Sequence, residues 1–297
     1  MLKFYICNSF TQRSFEGNPA GVVFDDEGSL GCDMMQKIAA QLNLVETTFV
    51  LPSDHERFSC NMRYFTPLKE LPITGHPTLA AWQIMLNTKR VSPQGQHKIK
   101  TQGGTINIEQ ERGSIYLSQS SPVFTEIVQD GVEEVLSVFS LAKEDLLDYP
   151  IAGVNAGLGH LIFGVKDIKT LFKMSFELDA LKGVCHKYEL QEAQIFSLET
   201  VDNQNTLHTR NFCPREGLED PACGNGNAAL GGYFLKYIEP DTGNIMLKAE
   251  QGHIINKPSL IEIKAKRKAD GYDIQIGGKA VLMAEGSFLY NDVNSIS

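Results

Sequence analysis

The sequence predicts an α+β protein made of two pseudo-symmetric halves, each a sheet wrapped around a central apolar helix. Three observations carry this prediction. First, the chain repeats itself once near its midpoint. Arg63-Tyr64-Phe65-Thr66-Pro67 reads against Arg210-Asn211-Phe212-Cys213-Pro214, and Leu71 against Leu218. After a two-residue insertion, Thr74-Gly75-His76-Pro77-Thr78 reads against Cys223-Gly224-Asn225-Gly226-Asn227, and Gln102-Gly103 later matches Gln251-Gly252. A period of about half of 297 residues is too long for a solenoid and implies two like-folded halves. Second, each glycine turn opens a helix that is apolar nearly all round, Pro77 to about Leu86 and Asn227 to about Tyr237, and such a helix must be enclosed by other elements. Third, many short strand signals that do not alternate regularly with helices argue against a doubly wound parallel sheet.

The elements follow in order. Strands are expected at Lys3 to Asn8 and Gly21 to Phe24, with a turn by composition between them at Phe15 to Pro19. Met34, Ile38 and Leu42 recur at helical spacing after Asp33, which reads as an N-cap, so Asp33 to about Asn43 is an amphipathic outer helix. Val45 to Leu51 is rich in β-branched residues and stops at Pro52, placing Glu46 near the start of a strand. Cys60 to Phe65 is a strand, and Pro77 suits the first turn of the first central helix, where its missing N–H costs nothing. Short strands follow at Lys98 to Lys100, Thr105 to Gln110 and Ser114 to Ser118. The stretch Ser118 to Pro122 is the linker candidate, dividing an N-terminal half (1–119) from a C-terminal half (120–297) whose last strand is free to return to the first half. The second half restates the order: a helix from Gly131 to about Phe139, strands at Ala152 to Asn155, His160 to Val165 and Gln194 to Ser197, the second central helix, and closing strands from Ser259.

Composition excludes several classes of function. A net charge of −9, with no basic stripe beyond Lys264 to Lys268, gives no nucleic-acid footprint, and that run reads as a solvated turn. No apolar stretch approaches the ~20 residues needed to span a bilayer. The N-terminus reads as a first strand and not a signal peptide, so a cytoplasmic protein is expected. Cys7, Cys32, Cys60, Cys185, Cys213 and Cys223 form no C-x-x-C pair, which fits reduced thiols and gives no metal-site spacing.

The repeat puts two helix N-termini, with their free N–H groups and positive dipole character, on either side of one expected cleft, where a small anion such as a carboxylate would bind. Glu46 is the sharpest candidate for chemistry: either an edge residue facing water or a partly desolvated base whose pKa burial raises. His76, just before the first central helix, is placed to cap it or to hold an anion. Glu219 to Asn227 is the densest polar motif. Its glycines permit close approach of a ligand, Asn225 or Asn227 can cap the helix, and Asp220 can orient a cation, an amine or a histidine. Cys223 reads either as a buried packing residue or as a thiol whose pKa the helix N-terminus lowers.

Phe15-x-Gly17-Asn18-Pro19, Asn43-Leu44-Val45-Glu46-Thr47-Thr48-Phe49, Arg63-x-Phe65-Thr66-Pro67, Thr74 to Ala81, Gly159-His160-Leu161 and Glu219-Asp220-Pro221-x-x-Gly224-x-x-Asn227-Ala228 run in order across nearly the whole chain. Together they resemble the PhzF-like family of phenazine biosynthesis. That resemblance implies the diaminopimelate epimerase-like fold, an active site between the halves, no cofactor, and a homodimer. It further implies an isomerase that moves a proton on a dihydro-hydroxyanthranilate, with acid/base work at Glu46 and assistance from His76 and Asp220. The chain departs from the family pattern at Cys223-Gly224-Asn225, which looks more like the second cysteine turn of racemases sharing the fold. The matching first position is Thr74, whose hydroxyl is too weak an acid for a two-thiol mechanism.

The expectation is therefore a cofactor-independent, metal-free isomerase acting on a small carboxylate-bearing substrate. Glu46 moves the proton, and His76 and Asp220 orient the substrate. The N–H groups of Gly75, His76, Gly224, Asn225 and Gly226 bind the carboxylate, with Cys223 beside them and Asn18 and His160 as further contacts. Two other readings stay open: a racemase or epimerase pairing Cys223 with Glu46 or His76, and a member of the family that binds a metabolite or protein without chemistry.

Overall fold

The computed structural model describes residues 2–127, 129–215 and 217–289. The chain divides into two compact units: the described residues of Met1–Phe15, Pro19–Ile115 and Lys279–Ser297, and those of Glu16–Asn18 and Tyr116–Gly278.

The first unit contains β1 (Leu2–Ser9), β2 (Asn18–Phe24, from Pro19 onward), α1 (Cys32–Leu42), β3 (Glu46–Leu51), β4 (Cys60–Phe65), β5 (Glu70–Leu71), α2 (His76–Asn87), β6 (His97–Thr101), β7 (Gly104–Glu111) and the late strand Ala280–Phe288. That late strand runs antiparallel to β1, Leu2 opposite Phe288 and Ser9 opposite Ala280, with a register shift between Ile6 and Cys7. β2 and β3 are parallel, β3 and β4 antiparallel, β4 and β6 parallel, and β6 and β7 antiparallel. α2 packs against β1, β3 and the late strand. Nine of its twelve residues are buried, Trp82 among them, as a helix with no polar face requires. α1 lies outside, and Met35, Ile38 and Ala39 seal against Val23, Phe49 and Phe65. Its N-cap is Gly31 and no side chain caps it, so Asp33 sits within the first turn, where its charge still opposes the positive dipole end.

In the second unit the order is β8 (Ser114–Gln119, from Tyr116 onward), β9 (Val123–Glu126), α3 (Gln129–Val138), β10 (Ala152–Asn155), β11 (Gly159–Gly164), α4 (Ile168–Lys173), α5 (Leu178–Lys187), β12 (Glu192–Ser197), β13 (Leu207–Cys213), β14 (Leu218–Asp220), α6 (Gly224–Tyr233), β15 (Asn244–Gln251), β16 (Ser259–Lys268) and β17 (Gly271–Gly278). Its pairings repeat those of the first unit. β11 and β12 are parallel, β12 and β13 antiparallel, β13 and β15 parallel, β15 and β16 antiparallel. α6, with nine of ten residues buried, packs against strands from β10 to β17, and a π-helical turn, Phe234–Ile238, prolongs it. The basic run Lys264 to Lys268 is the end of β16 and not a turn. Lys264 lies over the Tyr116 ring and Arg267 donates to the carbonyls of Leu235 and Pro240, so the run is held by specific contacts.

The pairing also corrects the repeat register. Phe65 stands opposite Glu70 and Phe212 opposite Glu219, so Glu70 corresponds to Glu219 and Leu71 to Asp220. The two extra residues therefore lie in the β13–β14 turn, before the matched carboxylates. The side chains agree: Arg63 holds Glu70 in a two-pronged pair (2.7 and 2.8 Å), and Arg210 holds Glu219 likewise (3.1 and 2.7 Å).

Candidate functional site

In the first unit, chemistry collects where β3 begins and α2 begins. Glu46 is the first residue of β3, opposite Ala20 of β2, and its side chain is only 13% exposed. The Thr74 hydroxyl donates to Glu46 Oε2 at 2.6 Å, and His76 Nδ1 stands 4.0 Å from the same oxygen. Burial pushes His76 down to about 3, against a hydrogen bond to the Pro19 backbone that favours its charged form. The ring is thus neutral at ordinary pH, and its approach to Glu46 is dipolar, not an ion pair. His76 Nε2 has no partner among the described residues. Nor does His76 cap the helix: it is the first residue of α2, after Gly75, and no side chain caps that first turn. Ser9 donates to the His76 carbonyl at 2.6 Å, and Thr78 to the Thr74 carbonyl at 2.6 Å, which fixes the turn carrying Thr74, Gly75 and His76. A Cβ on Gly75 would meet nothing within 4 Å, so the turn is open on that side.

In the second unit, Asp220 ends β14, where its Oδ1 accepts from the Ala222 N–H (2.8 Å) and from Asn18 Nδ2 (2.9 Å). Asn18 also donates to the Ala222 carbonyl at 3.2 Å, while its own Oδ1 is buried with no partner among the described residues. The cap of α6 is neither Asn225 nor Asn227: Cys223 Sγ accepts from the Gly226 N–H at 3.3 Å, and Asn227 Nδ2 donates instead to the Cys223 carbonyl and to Gln251. The Gly226 N–H is therefore engaged within the chain, and a Cβ there would lie 2.4 Å from Gln194 Oε1, so that glycine is required by internal packing.

The sequence did not bring out Glu192. It is the first residue of β12, opposite His160, as Glu46 is the first residue of β3. His160 Nε2 lies 3.1 Å from Glu192 Oε2, and Cys223 Sγ lies 3.5 Å from that oxygen and 3.6 Å from the imidazole. Each unit thus repeats one contact: Thr74, two residues before α2, or Cys223, immediately before α6, bonds the carboxylate that opens the matching strand. Arg215, Cys213 and Asn211 also reach Glu192. Burial works to raise Glu192, yet the hydrogen bond and charge of His160, with Cys213 and Asn211, hold it down to about 2. The reading of Cys223 as a thiol with lowered pKa is overturned. Burial, followed by the charges of Glu192 and Asp220, pushes it well above the ordinary thiol range, and the Gly226 N–H does not offset them. The signal for Glu192 was the repeat itself: Glu46 and Glu192 each open the strand that pairs antiparallel with the one carrying Arg63 or Arg210.

Two like-folded units, each with a carboxylate at a strand start and a polar turn opening an enclosed helix, define an isomerase with the diaminopimelate epimerase-like fold. The chain belongs to the PhzC-PhzF family of phenazine biosynthesis-like proteins, whose model matches residues 7–286. It is 32% identical over 302 residues to an uncharacterized isomerase of Clostridium acetobutylicum, covering 97% of this chain and 98% of the relative. It is 28% identical to the trans-2,3-dihydro-3-hydroxyanthranilate isomerase of Pseudomonas chlororaphis, over 97% of this chain and 100% of that one. The crystal structure of a PhzF-family phenazine biosynthesis protein from Bacillus anthracis superposes with a TM-score of 0.88 at 27% identity, covering 97% of this chain and 99% of the other. No described helix is long and apolar enough to cross a membrane.

Proposed function

We propose that the protein is a cofactor-independent isomerase that removes a proton from a small carboxylate-bearing substrate at one carbon and returns it at another, with Glu46 as the acid/base group. The observation that carries this reading is the setting of Glu46: mostly buried at a strand start, hydrogen-bonded by Thr74, and beside a neutral His76 whose Nε2 has no partner among the described residues. A carboxylate so placed can accept a proton from carbon and hold it away from water until it is returned. His76, neutral in the working range, donates or accepts a hydrogen bond to substrate without adding charge. The N–H groups of Gly75 and His76 at the open, uncapped start of α2 bind the substrate carboxylate. In the second unit the same role falls to Gly224 and Asn225, with Asp220, Asn18 and His160 as supporting groups. A homodimer in the cytoplasm is part of this proposal.

A racemase reading with Cys223 as the base is less well supported, because the thiol is buried, protonated and bonded to Glu192. The test is proton exchange in deuterated water followed by NMR, with a dihydro-hydroxyanthranilate and a panel of small amino and hydroxy acids. Wild type should incorporate deuterium and Glu46→Gln should not, while retaining ligand affinity. A Glu46→Gln protein with full exchange would remove Glu46 from the mechanism. Ligand binding without exchange by wild type would favour a binding role.

A further inference from the structure

We propose that His160, Glu192 and Cys223 form a binding site for one thiophilic divalent metal ion of the zinc class. This site lies wholly within the second unit, goes beyond the proton transfer assigned to Glu46, and does not rest on it.

His160 Nε2, Glu192 Oε2 and Cys223 Sγ are separated by 3.1, 3.5 and 3.6 Å. With zinc–sulfur bonds of about 2.3 Å and zinc–nitrogen or zinc–oxygen bonds of about 2.0–2.1 Å, the edges of a tetrahedral site are roughly 3.3–3.6 Å. The three atoms therefore already stand close to three corners of such a site, and a fourth corner is left for water or another donor. All three residues are buried, at 0%, 5% and 7% exposure, and they come from two paired strands and a helix cap, which are rigid supports.

Each donor is also oriented from behind, as metal ligands require. His160 Nδ1 faces the Leu158 carbonyl at 2.9 Å. A carbonyl only accepts, so Nδ1 carries a hydrogen and Nε2 is the nitrogen turned toward the other donors. Glu192 Oε1 is held by Arg215 at 3.3 Å and by the Cys213 thiol at 3.4 Å, and Oε2, which faces the site, is itself held by Asn211 Nδ2 at 3.2 Å. Cys223 Sγ accepts the Gly226 N–H at 3.3 Å, a contact suited to a coordinated thiolate. Arg215 is exposed and touches Glu192, so the cluster is one side chain from solvent.

The test uses the purified full chain, stripped with chelator and titrated with Co(II), with Zn(II) as competitor. The expected result is one ion per chain, an intense sulfur-to-cobalt charge-transfer band with tetrahedral visible bands, and their loss when Zn(II) is added. Loading should release protons in weakly buffered solution, since a thiolate is the ligand form of cysteine. Cys223→Ser should abolish the charge-transfer band and weaken Zn(II) binding by roughly 100-fold, the upper end of what loss of an outer-shell partner costs, whereas Cys32→Ser, at an exposed cysteine, should leave both unchanged. Binding without a sulfur band would overturn the proposal, because it would place the ion elsewhere, for instance at His208, His253 and Glu250, which offer no sulfur. A band that survives Cys223→Ser would overturn it as well. Should that variant fail to fold, X-ray absorption of the Zn(II)-loaded wild type decides: a sulfur neighbour at about 2.3 Å with nitrogen or oxygen neighbours supports the site, and a shell without sulfur overturns it.

Discussion

Thr74→Val isolates the contact that distinguishes Glu46 from an ordinary surface carboxylate. Valine keeps the shape of threonine and removes only the hydroxyl that donates to Glu46 Oε2 at 2.6 Å. The other bond at this position, from Thr78, goes to the Thr74 backbone carbonyl and survives the change. A hydrogen bond to a charged group contributes about 1.5–3 kcal/mol, and one pKa unit corresponds to about 1.4 kcal/mol, so the loss is worth roughly one to two units. The sign follows from the donor. The hydroxyl stabilises the carboxylate, so its removal favours the protonated acid and moves the titration of Glu46 to higher pH. His76 cannot compensate by charge, since burial keeps it neutral. The assay is a carbon-13 NMR titration of the Glu46 carboxyl, assigned by its disappearance in Glu46→Gln, together with the pH profile of deuterium exchange. The acid limb of that profile should rise with the titration, because the base must be deprotonated to act. An unchanged titration would refute the idea that Thr74 sets the protonation of Glu46.

The duplicated ion pairs should differ in weight. Arg210→Met leaves Glu219 charged in a setting where both side chains are under 8% exposed, costing about 3–5 kcal/mol in urea unfolding, whereas Arg63→Met beside the more exposed Glu70 should cost about 1 kcal/mol; equal losses would contradict this account. Gly75→Ala meets open space and should leave the melting temperature unchanged while lowering deuterium exchange, whereas Gly226→Ala must displace Gln194 and should cost stability. Burial holds His76 at about 3, and burial with the charges of His253 and Arg210 holds His208 at about 3, against an ordinary 6.5. The unfolded chain therefore binds protons first, and stability present above pH 6.5 is lost as pH falls toward 3, by up to roughly 4 kcal/mol between pH 7 and 5. Glu192 adds a loss in the same direction from about 4.5 down to about 2. Equal urea midpoints at pH 7 and pH 5 would contradict the buried neutral histidines.

Sequence alone determined the architecture, because local pattern and duplication both bear on it. Helices with no polar face, such as His76–Asn87 and Gly224–Tyr233, must be enclosed, and β-branched runs flanked by glycine and proline must be strands whatever their neighbours. Glu46 and His76 were legible as candidates because each stands at the start of a recognisable element, whereas Thr74 was set aside as too weak an acid and its bond to Glu46 was not foreseen. What tertiary structure decided was the company each residue keeps. The true register of the repeat depended on which strand residues face each other, and matching runs of letters placed the insertion on the wrong side of Glu70 and Glu219. Of the two readings of Cys223, the lowered-pKa thiol failed and the buried residue held, because a helix N-terminus is a local feature that lowers a thiol pKa, while the Glu192 carboxylate that helps raise it comes from a segment about 30 residues away. Glu192 itself, set between Gln191 and Ala193 and outside every quoted motif, stands out once β11 and β12 lay it against His160. Sequence fixes which groups a chain carries and which elements they begin, but desolvation and charge act through space, and only folding sets the distances on which they depend.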